Sequence, residues 1–170
     1  MTELAIRRYP DPALATVCRP VERFDDGLRE LADRLLAAMR AAPGIGITAA
    51  HVGLPLRLVV IELDGVVRFY ADPVVEWASE ERASHVEGSV SMPGVSDLVE
   101  RPARVRVRFR HLDGREDREE ATGLLAVCLQ HEIDQLDGIF WLQRLTRLRR
   151  DRTVRRYEKL QRAQSVRNGP

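Results

Sequence analysis

The stretch Leu124 to Gly138, LLAVCLQHEIDQLDG, constrains the chain more than any other. Its apolar spacing predicts an amphipathic helix closed by Asp137-Gly138, with glycine as the C-terminal cap. A helix stacks residues four apart on one face, so His131 and Gln135 would project together with Glu132 beside them. A histidine at 135 would complete HExxH, in which two imidazoles hold a metal and the glutamate acts as base. The residue is glutamine, and a lone His-Glu pair on a helix also satisfies itself by hydrogen bonds.

The rest of the chain supplies strands around that helix. Asp25 or Asp26 would cap a first helix, in which Leu28, Leu31, Ala32, Leu35, Leu36 and Met39 share one face before Pro43-Gly44 stops it. Met1 to Pro20 reads as an extended arm, because prolines at 10, 12 and 20 exclude a continuous helix. Gly44 to Gly53 reads as a loop whose glycines at 44 and 46 permit close backbone approach or positive φ. Strands are expected at Arg57 to Leu63, Val66 to Tyr70, Asp72 to Trp77, Arg104 to Arg110 and Arg115 to Glu120. Asp64-Gly65 and Asp113-Gly114 would turn two hairpins. Ser84 to Pro93 contains glycine and lacks helical periodicity, and Arg101-Pro102 reads as a further break. A charged helix is expected over 149–163. The 170 residues then suit one α+β domain, antiparallel strands packed about a central HExx(H)-type helix.

Composition sets outer limits. No apolar run approaches the roughly 20 residues of a membrane span, and MTELAIRRYPDP has no apolar signal core, so the expected location is the cytoplasm. Cys18 and Cys128 belong to no CxxC pair and are expected as thiols, Cys128 as a small buried hydrophobe. The net charge is +1, yet from Gln143 onward ten Arg or Lys face only Asp151 and Glu158. Such a basic tail fits either an anionic partner such as RNA or a solvated helical face.

Three stretches bear groups that a fold would have to converge: GIGITAAH (Gly44 to His51), EGSVSMP (Glu87 to Pro93) and HEIDQ. Each alone is weak. Ser89 is no nucleophile elbow, since the second glycine of G-x-S-x-G is missing. Together, in order and spacing, they resemble the peptide deformylase family, whose motifs run G-φ-G-φ-A-A-x-Q, E-G-C-L-S and Q-H-E-x-D-H-L-x-G. The flanks RRYPDPAL and IFWLQRLTRLRRDRTVRRYEKL resemble the family's ends as well, so the likeness spans nearly the whole chain.

The resemblance implies site roles. His131, Ser89 and Gln135 stand where the family holds a divalent metal (Fe, Zn or Ni), two of the three being substituted. Glu132 stands at the catalytic glutamate. His51 stands at the oxyanion-stabilising glutamine, and Val90 at the residue whose backbone N–H completes that hole. Ile45, Gly46 and Gly88 match substrate-facing backbone positions.

A neutral hydroxyl and a carboxamide are poor substitutes for thiolate and imidazole. Each lost ligand removes several of the ~10–16 kcal/mol typical of structural zinc peptides. The expectation is therefore no metal at full occupancy, and ordinary deformylation weak or absent, with the fold and peptide or nascent-chain binding retained. The basic tail, where the family has a C-terminal helix, implies a ribosome contact. The alternatives are a remade hydrolase site, metal-free or built on His51 and His131, and a deformylase that tolerates the changes. His85 and His111 read as surface residues.

Overall fold

The structure, a computed structural model, describes residues 3–169. Its order is α1 (Asp26–Ala41), β1 (Gly46–Thr48), β2 (Leu58–Leu63), β3 (Val66–Ala78), β4 (Arg82–Ser89), β5 (Met92–Pro102), β6 (Arg104–Arg110), β7 (Glu116–Thr122), α2 (Gly123–Leu136) and α3 (Arg147–Arg167). Five antiparallel strands form one sheet in the order β1-β2-β3-β6-β7, and β4 with β5 forms a separate ribbon.

Side-chain alternation explains how the layers stack. In β2, Val59 and Ile61 join the core beneath α2, while Leu58 and Val60 join the core beneath α1. A strand covered on both faces needs an unbroken apolar run, and LVVI supplies it. In β6 only one face is covered. Val105, Val107 and Phe109 are buried towards α2, and Arg104, Arg106, Arg108 and Arg110 alternate with them on the opposite parity. α2 is buried almost all round from Ala126 to Leu136, as a helix between layers must be. Each of Leu129, Ile133 and Leu136 contributes roughly 1.5–3 kcal/mol on removal from water. A third core joins Leu14, Met92, Val99, Trp141 and Tyr157, and so fastens α3 onto β5.

The α+β expectation holds, with local corrections. The side chain of Asp25 accepts from the Leu28 N–H at 3.3 Å and starts α1. The two strands expected at 66–70 and 72–77 are one strand, β3. Asp72 takes φ 52 in a bulge, and its carboxylate accepts from the Val21 N–H at 2.8 Å. The stretch 84–93 and the break at Arg101-Pro102 lie within the β4–β5 hairpin. Pro102 is tolerated as the last residue of β5, which pairs with β4 alone. Gly44 to Gly53 is no open loop: β1 and a 3-10 turn (Ala49–Val52) occupy it, held by pairing of β1 to β2. α3 is capped by Thr146, whose hydroxyl accepts from the Arg149 N–H at 3.4 Å, and continues four residues past 163. The arm contains a short turn at Pro12–Ala15, and its first two residues, like Pro170, lie outside the described residues. No helix among the described residues is long and apolar enough to cross a membrane.

Candidate active site

α2, β1, the turn after it and the β4–β5 hairpin enclose a cavity of about 470 Å³. Ile45, Gly46, His51, Gly88, Ser89, Val90, His131 and Glu132 all line it. Cys128 also lines it, buried as expected of a small hydrophobe, and Glu87 lies at its wall. Ile45, Val86 and Leu124 leave apolar side chains exposed around it. Gln135, fully buried, is not in the lining: its amide donates to the Leu14 carbonyl at 2.7 Å.

His131 is anchored from behind. Its Nδ1 lies 2.8 Å from Glu87 Oε1, leaving Nε2 for the cavity side of the ring. Arg101 clasps both oxygens of Glu87 at 2.6 and 2.9 Å, and also donates to Asp134 at 2.8 Å. Arg144 grips both oxygens of Asp134 at 2.8 and 2.6 Å. Burial alone would raise the Glu87 carboxyl, but hydrogen bonds and charges from His131 and Arg101 outweigh it and hold the group at about 2. Burial disfavours the imidazolium of His131, yet the bond to Glu87 and the charges of Glu132 and Glu87 prevail and raise its pKa.

The cavity floor is different. Glu132 is buried with Oε2 unpartnered, and its carboxyl is pushed up to about 7, chiefly by desolvation. His51 is buried with Nε2 unpartnered. Desolvation and then the charge of His131 lower its pKa to about 3, so the ring is neutral. Its Nδ1 lies 3.9 Å from Glu132 Oε2, a proximity and not an ion pair, because His51 carries no charge. Desolvation, with Glu132 and Glu87 nearby, pushes the Cys128 thiol up to about 12, which keeps it protonated and a poor ligand.

The glycines of GIGITAAH serve close packing, and neither has positive φ. A Cβ on Gly46 would stand 2.6 Å from Glu132 Oε1, and one on Gly44 would stand 2.5 Å from Val90 Cγ1. What the backbone approaches here is therefore the wall of the cavity itself. Ser89 Oγ accepts from the Ser91 N–H at 3.1 Å. Among the described residues, no three His, Cys, Asp or Glu side chains are grouped to hold a metal ion.

Sequence reasoning passed over Arg101, Asp134, Arg144 and the anchoring role of Glu87. One signal existed. Glu87 lies on the inward parity of β4, and an acidic side chain there requires a buried cationic partner. Which arginine answers it was not legible, since Arg101 arrives on another strand.

Comparison with known proteins completes the picture. Residues 3–151 match the model of the polypeptide deformylase family. A "Peptide deformylase-like" protein of Brucella melitensis is 62% identical over 95% of this chain and 100% of its own length. A "Peptide deformylase" of Phenylobacterium zucineum is 42% identical over 92% of this chain and 97% of its own. The solved peptide deformylase of Legionella pneumophila superposes with a TM-score of 0.92 at 32% identity, covering 99% of this chain and 100% of that one. The Synechococcus elongatus enzyme, solved in complex with actinonin, gives 0.87 at 35%, covering 91% and 86%. Similarity of sequence and fold over almost the full length places the chain in the polypeptide deformylase family.

Proposed function

We propose that this protein keeps the deformylase fold and a cavity for a peptide N-terminus, but does not carry out ordinary metal-dependent removal of formyl from methionine. The observation that carries the reading is Gln135. At the family's third ligand position stands a carboxamide whose N–H₂ is committed to the Leu14 carbonyl, outside the cavity lining. At the first, the Ser89 hydroxyl accepts a backbone N–H, and a neutral hydroxyl is a poor ligand for zinc or ferrous iron. His131 alone keeps the geometry of a ligand, with Nδ1 on Glu87 and Nε2 available. The residues present do not fit a divalent ion at that position, so no catalytic step is derived through one. Without a metal-bound water, Glu132 would have to activate ordinary water, whose pKa is far above that of any carboxylate. Coexistence supports the divergence. Brucella suis holds both a "Peptide deformylase-like" protein at 62% identity to this chain and a "Peptide deformylase" at 42%.

The test is metal analysis with turnover of a formyl-methionyl peptide, on the natural protein and on Ser89→Cys/Gln135→His. The expected result is trace metal and little turnover in the natural protein, with metal content rising in the double variant. Stoichiometric Fe, Ni or Zn with robust turnover in the natural protein overturns the proposal and makes it a working deformylase. Turnover of another amide or ester that vanishes in Glu132→Ala would instead favour a remade hydrolase site.

A second reading concerns α3. Arg152, Arg155, Lys159 and Arg162 are exposed along one face at alternating spacings of three and four, without an ion pair among the described residues. The opposite face, through Thr153 and Tyr157, packs on the body. This stripe supports contact with ribosomal RNA. Co-sedimentation with ribosomes should be strong at low salt and fade as salt rises. Absence of co-sedimentation at low salt would remove the idea.

A further inference from the structure

We propose that Arg7, Arg8 and Tyr9 form a strap that sets the width of the cavity, with Arg8 as its positioning residue. The effect on a bound peptide rests on the reading above, whereas the strap stands on geometry alone.

The cavity has one wall in each sheet. Gly46 and His51 come from β1 and the turn after it, on the edge of the five-stranded sheet. Ser89 and Val90 come from the tip of the β4–β5 ribbon. Among the described residues no strand pairing joins the two sheets, so no ladder fixes how far apart the walls stand.

The N-terminal arm crosses from one wall to the other. The Arg7 N–H donates to the His51 carbonyl at 2.7 Å. Arg8 Nη1 donates to the Val90 carbonyl at 2.7 Å, and the Tyr9 N–H donates to the Ser91 carbonyl at 2.9 Å. Two residues of chain reach at most about 7 Å, so these bonds limit how far the walls can part. Packing limits the opposite movement. A Cβ on Gly44 would stand 2.5 Å from Val90 Cγ1, so the walls already touch there.

The strap is anchored on both sides of these bonds. Leu4 and Ile6 pack against the core beneath α1. The Tyr9 ring stacks on Phe140 at 5.4 Å and meets Tyr157 edge-on at 6.2 Å. Arg8 differs from its neighbours, because its bond is made by an exposed side chain. Its guanidinium has no carboxylate partner among the described residues. An exposed arginine of this kind adds little to global stability, so its hold on the cavity rim can be cut without unfolding the chain.

Hydrogen–deuterium exchange of the natural protein, Arg8→Met and Arg8→Lys tests the strap. Arg8→Met keeps a stem and loses the donor, whereas Arg8→Lys keeps a cationic donor. In Arg8→Met, exchange over 88–92 should be about tenfold faster, with β6 and β7 unchanged. Its thermal midpoint should stay within about 2 °C of the natural protein. Arg8→Lys should recover part of the protection. Unchanged exchange over 88–92 in Arg8→Met overturns the strap. Faster exchange throughout the chain also overturns it, as a general loss of stability. Calorimetry with formyl-Met-Ala-Ser tests the consequence for binding. Affinity about fivefold weaker in Arg8→Met, and partly restored in Arg8→Lys, is expected. Equal affinity in all three proteins overturns the positioning role alone. Binding by none of them overturns the peptide reading and the positioning role together, while the exchange data still decide whether the strap exists.

Discussion

The two sides of α2 treat buried polar groups in opposite ways. Behind His131, a chain of charges runs through Glu87, Arg101, Asp134 and Arg144, with each ionic group paired at 2.6–2.9 Å. Around Glu132, one carboxylate oxygen and one imidazole nitrogen are buried without partners. A fold that satisfies five side chains on one side of a helix is capable of satisfying two more on the other. Unsatisfied polar groups in residues that line a cavity mark it as the candidate site, whereas the paired side serves to hold the helix in place.

This contrast can be broken most severely at Arg101. Arg101→Met should destabilise the protein by about 3–5 kcal/mol in urea unfolding, because Glu87 and Asp134 are left buried and undercompensated. A change below about 1 kcal/mol would mean the network adds little. The next effect belongs to pH. The Glu132 pKa is raised from 4.5 to about 7, so the folded state binds its proton more tightly than the unfolded one. The associated stabilisation is fully present below pH 4.5 and is lost as pH rises to about 7, a swing on the order of 3 kcal/mol. Glu132→Gln should remove that slope. Parallel stability–pH curves for the two proteins would place Glu132 in a polar, solvated setting.

Smaller changes sharpen the same comparison. Gly46→Ala should cost about 1–3 kcal/mol, since its Cβ needs the space of Glu132 Oε1. A thermal scan showing no loss would mean that the carboxylate moves aside cheaply. Thr48→Val deletes only the hydroxyl contact to His51 Nδ1 and should cost about 1 kcal/mol. Its backbone donor remains, so the His51 ring should keep its tautomer. A tautomer change in nitrogen-15 spectra would show that the hydroxyl, and not the main chain, sets it.

Much was legible before any coordinates. The periodicity of α1, the existence of α2, the Asp64-Gly65 and Asp113-Gly114 hairpins and the alternation of β6 are local physics, and they reappear in place, although α2 is buried on every side from Ala126 to Leu136 and not amphipathic as expected. Elements whose stability is non-local were misread. β1 has only three residues and exists through pairing with β2, while β4 and β5 pair across a ribbon that no local periodicity announces. Asp72-Pro73 reads as the start of a separate strand, because the Val21 N–H that holds the bulge lies 51 residues away in sequence.

The sequence by itself determined the family motifs, the central helix, the basic C-terminal face and the residue types at each site position. Those are properties of side-chain chemistry and short spacings. Tertiary structure alone decided which of those residues meet. It turned Gln135 to Leu14, a contact across 121 residues, closed Glu87 onto Arg101, and set the His51 ring against Thr48 in the wall of the cavity. A side chain's chemistry follows from which of its atoms are already committed, and that commitment exists only once distant strands and helices are packed together.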